Sequence, residues 1–192
     1  MTPIILLWLV LGSTWVIFEM LLSRRHRADN RATATATHDH GSFRLLWLVT
    51  LASLLIALWL TDRHGMPIGW DEATRQYGAL TLFGCGIGLR LWAIASLGRF
   101  FDARVTLHDQ HSLVCSGPYR WIRHPSYTGL LLAFLASGLA MGDWLALGAL
   151  FLPIALAVHI RIRIEEQVLS SRFGAAYAEY SRRTRKLVPG VY

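Results

Sequence analysis

The 192-residue chain is 54% hydrophobic and only 16% charged, with a formal net charge of +7 and a mean hydropathy of +0.39. That balance excludes an ordinary soluble domain and a disordered one, and two cysteines without CxxC spacing, Cys85 and Cys115, exclude a disulfide framework and a thiolate metal centre. The positive charge sits beside apolar runs, where it serves membrane topology and anionic head groups rather than nucleic acid.

Apolar runs at about residues 3 to 22, 43 to 61, 77 to 97, 126 to 141 and 144 to 160 approach the ~20 residues that cross a bilayer as helix. The last two are short. The expected fold class is therefore an all-α integral membrane protein of about five transmembrane helices. Residues 1–97 form its N-terminal three-helix unit, and residues 98–192 hold the chemistry. The first run has no basic residue before it and Arg24, Arg25 and Arg27 after it, which identifies a retained span rather than a cleaved signal peptide.

The small, polar stretch at about 23–42 has too little apolar surface to fold alone and reads as a flexible connector. His38-Asp39-His40 within it reads as solvated, and no metal is expected. In the third run, Phe83-Gly84-Cys85-Gly86-Ile87-Gly88-Leu89 lacks the preceding strand and the βαβ setting of a dinucleotide turn. Gly84 and Gly88, four apart, instead suit close helix packing, within one chain or between two. Arg90 stands at membrane depth, where it either faces a bundle interior or snorkels to the interface.

Sixteen of the nineteen cations fall in residues 23–44, 98–124 and 161–192. Basic loops stay in the cytoplasm, so the N-terminus is expected outside and the C-terminus inside, in a bacterial inner membrane.

The run Gly117-Pro118-Tyr119-Arg120-Trp121-Ile122-Arg123-His124-Pro125-Ser126-Tyr127-Thr128-Gly129 packs cations, aromatics and hydroxyls at the mouth of the fourth span. His124-Pro125 marks a helix start, because proline at the first helical position loses no hydrogen bond. Met141-Gly142-Asp143-Trp144 then reverses the chain, making 126–160 an antiparallel hairpin in which Pro153 is a candidate kink. The hairpin brings Arg123-His124-Pro125 beside Arg161-Ile162-Arg163-Ile164-Glu165-Glu166. Arg161 and Glu165 share one helical face in the less stabilising order for a helical pair, and the adjacent acids suit ribose hydroxyls or an ammonium group.

His111-Ser112-Leu113-Val114-Cys115-Ser116-Gly117-Pro118-Tyr119, then Arg123 to Gly129, then Arg161 to Glu166, then Phe173-Gly174-Ala175-Ala176-Tyr177-Ala178-Glu179-Tyr180 resemble, in order and spacing, the isoprenylcysteine carboxyl methyltransferase family. The resemblance covers residues 95 to 190. It implies S-adenosylmethionine bound on the cytoplasmic side under the C-terminal segment, and a lipophilic or lipidated acceptor arriving from the membrane lipid. By matching position it implies cofactor contacts from Arg104, His111, Ser112, Leu113, Val114, Tyr119, His124, Pro125, Ser126, Tyr127 and Glu165. Arg161 takes the acceptor-binding position, and Arg161, Glu165 and Glu166 are the catalytic candidates. A carboxylate acceptor needs no base, whereas an amine needs one, from Glu166 or His124.

Three other readings compete. A phospholipid head-group amine methyltransferase shares the cofactor, an NADPH-dependent sterol reductase shares the C-terminal glycine and tyrosines, and a non-catalytic membrane binding protein would use the same cavity. Glu165-Glu166 and Arg-His-Pro-Ser-Tyr favour methyl transfer over reduction, and the few ionisable residues within the spans argue against transport.

Overall fold

The computed structural model describes residues 3–37, 41–63, 65–98, 106–108, 113–188 and 190. Six helices follow in chain order: α1 (Pro3–Thr33), α2 (Ser42–Arg63), α3 (Glu72–Leu97), α4 (Pro125–Met141), α5 (Trp144–Phe173) and α6 (Ala175–Arg183). Helices α2, α3 and α5 are long and apolar enough to cross a membrane, and Leu6–Leu22 of α1 and Pro125–Met141 are shorter apolar helices. Large hydrophobic side chains such as Leu48, Leu55 and Leu152 stand exposed on the bundle's outer faces, as a multi-pass membrane protein requires.

Two departures from the all-helical expectation occur in the loops. The segment expected as a connector is helical to Thr33, and Ala34–Thr37 (β1) pairs antiparallel with Thr106–His108 (β2). His38, Asp39 and His40 lie outside the described residues.

Packing is closest between α3 and α4 and between α2 and α5. A Cβ on Gly86 would come within 2.7 Å of the Gly129 carbonyl oxygen, and one on Gly129 would collide with the Gly86 carbonyl oxygen. The two backbones touch, as only glycine permits. Gly84 and Gly88 are exposed, with nothing near their Cα atoms. The glycine contact is therefore real, but it lies on the opposite side of α3 from the pair expected from the sequence. Between α2, α4 and α5 sits a core of Ala57, Leu130, Ala146, Leu150, Ile154, Val158 and Ile162.

The hairpin forms as expected. Gly142, at φ 78°, supplies the left-handed residue that closes α4, and the Asp143 carboxylate accepts from Ala146 N at 3.0 Å and from Met66 N at 2.7 Å. Trp144 N donates to Met66 O at 2.8 Å and Ile68 N to Gly142 O at 2.9 Å, so the α2–α3 loop is stitched to the turn. Helix α5 runs through Pro153 and on to Phe173, well past the expected end near 160. At ~1.5 Å per residue its 30 residues are ~45 Å long. That extra length carries Glu165 and Glu166 beyond the apolar stretch, and α6 then folds back beside them.

Candidate active site

The site lies at the end of the bundle opposite the Gly142 turn. Its frame is built from backbone: Arg123 N donates to Arg185 O (2.7 Å), His124 N to Lys186 O (3.0 Å) and Arg185 N to Trp121 O (3.2 Å). The returning C-terminal segment thus runs alongside the residues that start α4. The Arg123 guanidinium fastens it further, donating to Ser181 O (3.0 Å), Thr184 O (2.6 Å) and Glu166 Oε1 (2.9 Å). Lys186 Nζ approaches Glu166 Oε2 at 3.0 Å. One carboxylate therefore ties α5, the start of α4 and the tail together.

Within that frame His124 is 4% exposed. Its Nδ1 stands 3.9 Å from Glu165 Oε2 and its Nε2 3.5 Å from Glu166 Oε1. Both are longer than a good hydrogen bond, and Nε2 has no hydrogen-bond partner. Arg161 is 2% exposed and its Nε donates to Tyr127 Oη at 2.7 Å. The Tyr127 ring lies 5.9 Å from the His124 ring. The Tyr180 hydroxyl donates to Tyr119 O at 2.8 Å. Burial pushes the phenols of Tyr119, Tyr177 and Tyr180 well above their ordinary range, and nearby carboxylates push Tyr119 and Tyr177 further. All three stay neutral and able to donate.

These groups line one end of a cavity of about 810 Å³ that continues into the bundle between apolar residues such as Trp8, Leu54, Phe83 and Phe134. A second charged cluster borders it. Arg90 donates to Glu19 through Nε (2.5 Å) and Nη2 (2.7 Å) and to Ser126 Oγ (2.7 Å) and O (3.1 Å), with its guanidinium 5.5 Å above the Trp15 ring. Of the two options open to Arg90, facing the bundle interior is the one taken. The bidentate carboxylate offsets the cost of burying its charge.

Leu113, Val114, Tyr119, His124, Ser126, Tyr127, Arg161 and Glu165 all line this cavity. Pro125 is fully buried in the first turn of α4, where it sets the helix start. Glu166 is turned into the cluster of Arg123, His124 and Lys186. Arg104, His111 and Ser112 lie outside the described residues. Tyr177, Tyr180 and Lys186 were not among the sequence candidates, and Arg123 had been given no role beyond its place in the polar run. The Gly174-x-x-Tyr177-x-x-Tyr180 spacing was the available signal for two of them. Glu19 gave none, being an isolated acid at the end of an apolar run.

No histidine, cysteine or acid cluster able to hold a metal occurs among the described residues. A buried His124 nitrogen with only a long contact to Glu166, a buried Tyr177 hydroxyl without a hydrogen bond and the Glu165 carboxylate make a polar wall suited to a ligand rich in hydrogen-bonding groups. That donor set fits the nucleoside and amino-acid parts of S-adenosylmethionine. The apolar remainder of the cavity suits a lipophilic molecule.

The sequence profile described as the isoprenylcysteine carboxyl methyltransferase (ICMT) family matches residues 79–171. The protein-S-isoprenylcysteine O-methyltransferase B of Arabidopsis thaliana is 32% identical over 166 residues, 79% of this chain and 82% of that one. The cobalt-zinc-cadmium resistance protein CzcN of Cupriavidus metallidurans is 36% identical over 154 residues, 79% of this chain and 64% of its own. A solved structure of the eukaryotic intramembrane Ras methyltransferase ICMT matches with a TM-score of 0.59 and 24% identity, over 79% of this chain and 53% of that one; it bears on the fold. The chain spans 62% to 64% of the length of several curated relatives.

Proposed function

Because this chain belongs to the isoprenylcysteine carboxyl methyltransferase family, we propose that it transfers a methyl group from S-adenosylmethionine to a lipophilic acceptor, with a prenylated cysteine carboxylate as the acceptor class. The observation that carries this reading is the continuity of the cavity, whose polar end holds Glu165, His124 and Tyr177 and whose apolar remainder runs between the helices. The site end is cytoplasmic, the N-terminus outside, and the membrane a bacterial inner membrane.

When bound, the cofactor supplies an electrophilic methyl on a sulfonium. Everything else falls to the chain. Glu165, with Tyr119, Leu113 and Val114, forms the cofactor wall, and the family resemblance adds Arg104, His111 and Ser112 as cofactor contacts. Arg161 orients the acceptor. Its guanidinium is held by Tyr127 and lies on the cavity wall one helical turn from Glu165, a position that supports binding an anionic acceptor beside the methyl donor. A carboxylate needs no proton removed, so neither His124 nor Glu166 acts as a base. Glu166, gripped by Arg123 and Lys186, is a poor proton acceptor and serves to lock the tail over the site. Ser126 acts through Arg90, to which its hydroxyl is committed.

Calorimetry on the purified protein tests the cofactor half. Wild-type protein binds S-adenosylmethionine, Glu165→Ala weakens binding about tenfold or more, and Arg161→Ala leaves it within a few-fold. No binding by folded wild-type protein overturns the reading. A radiolabelled methyl-donor screen with prenylcysteine analogues and lipid extracts tests the acceptor. Methylation of a phospholipid amine in place of the prenylcysteine carboxylate would reassign the acceptor and restore the need for a base.

A further inference from the structure

Tyr177 and Tyr180 sit three residues apart in α6, both border the cavity, and their hydroxyls differ in one respect. The Tyr180 hydroxyl donates to Tyr119 O at 2.8 Å. The Tyr177 hydroxyl, on a residue 5% exposed, has no hydrogen-bond partner. A buried hydroxyl left unpaired destabilises the protein that carries it, so a phenylalanine would serve the fold better at this position. The ring alone would pack against Tyr180, whose centroid is 6.1 Å away. The oxygen therefore has a use that the ligand-free fold does not reveal.

We propose that the Tyr177 hydroxyl is a cofactor-binding group that donates a hydrogen bond to an uncharged acceptor atom of S-adenosylmethionine. This deepens, and rests on, the methyl-transfer reading above. Three features support it. Tyr177 lines the same polar end of the cavity as Glu165 and His124. Glu165 and Glu166 are close enough to bear on its phenol, and two nearby carboxylates disfavour an anionic acceptor there and keep the phenol protonated. Its helix is fixed by contacts independent of the hydroxyl: Arg123 grips Ser181 O in its last turn and Thr184 O directly after it. The hydroxyl is thus held in place before anything binds, which lowers the ordering cost of the contact.

The test compares Tyr177→Phe with wild type in two measurements on the full-length protein: calorimetric affinity for S-adenosylmethionine and S-adenosylhomocysteine, and thermal stability without ligand. The variant is expected to bind both ligands about three- to tenfold more weakly, while its ligand-free melting temperature is equal to or above that of wild type. Equal losses for the two ligands identify a hydrogen bond rather than an attraction to the sulfonium charge. Unchanged affinity overturns the proposal, and so does a loss confined to S-adenosylmethionine or a lowered ligand-free melting temperature, which would mean the hydroxyl already serves the fold. If wild-type protein binds neither ligand, the methyl-transfer reading fails and this assignment with it. If wild type binds and only the Tyr177 comparison fails, the methyl-transfer reading stands alone. Tyr180→Phe supplies the opposite sign, because it strips a partner from Tyr119 O and lowers ligand-free stability.

Discussion

The two ends of the α4–α5 hairpin use the same materials for different purposes. At the turn, one buried carboxylate, Asp143, receives the N–H groups of Met66 and Ala146, and backbone bonds from Trp144 and Ile68 close the α2–α3 loop onto it. At the open end a carboxylate, Glu166, likewise gathers Arg123 and Lys186, and backbone bonds draw in the tail. The difference lies in what remains. The Asp143 side chain bonds two separate segments, whereas Tyr177 Oη is buried without a hydrogen bond and His124 Nε2 reaches only the Glu166 carboxylate, at a long 3.5 Å. Folding alone favours pairing every buried polar group, so the end where pairing stops short is the end prepared for a ligand.

The largest expected effect breaks the open end without touching the turn. Arg161→Ala should reduce turnover about a hundredfold, on the scale of truncating a buried charged contact, with the unfolding midpoint and the cofactor affinity far less affected. Steady-state kinetics with a confirmed acceptor and near-wild-type turnover would contradict the acceptor role.

The mirror experiment breaks the turn. Asp143→Ala leaves the buried Ala146 N–H and the half-buried Met66 N–H unpaired and removes a helix cap, which should cost about 2 kcal/mol. Denaturation in detergent should show the loss, while turnover at low temperature stays close to wild type. A selective loss of turnover would mean that the two ends are coupled.

Gly86→Ala tests the scaffold common to both ends. A Cβ 2.7 Å from the Gly129 carbonyl oxygen forces α3 and α4 apart, an overpacking cost of about 1 to 3 kcal/mol. Gly84→Ala, on an open face, should be neutral or mildly stabilising. Equal behaviour of the two would refute the close approach. The smallest effect sharpens the contrast between gripped and idle charges: Glu179 pairs with Arg182 and Arg183 in solvent, and Glu179→Gln should leave melting and turnover unchanged.

Much of the architecture was legible in the sequence. The apolar runs located the helices, Gly142-Asp143 located the turn, and simple hairpin geometry placed Arg161 and Glu165 beside His124 and Tyr127. The expectation of close glycine packing on α3 was right in kind and misplaced in residue. Arg90 left two options open because neither its partner, Glu19, nor the 71-residue separation between them has a local signature. Glu166 was a catalytic candidate beside Glu165, yet one residue along a helix turns a side chain about 100°. That rotation sends one carboxylate to the cavity and the other into the tail's cation cluster.

By itself, then, the sequence determined that this chain is a helical membrane protein with a polar, cation-rich mouth on its C-terminal hairpin, because hydropathy and turn chemistry act locally. Only the tertiary structure decided which face of each helix meets protein and which is left for lipid. A helix apolar on all sides carries no periodic stripe from which that choice can be read, so Gly86 rather than Gly84 meets Gly129 for reasons that reside in the partner helix. The same holds at the site. That Tyr180 is bonded and Tyr177 is not depends on where the carbonyl of Tyr119 ends up, and only the folded chain supplies that position.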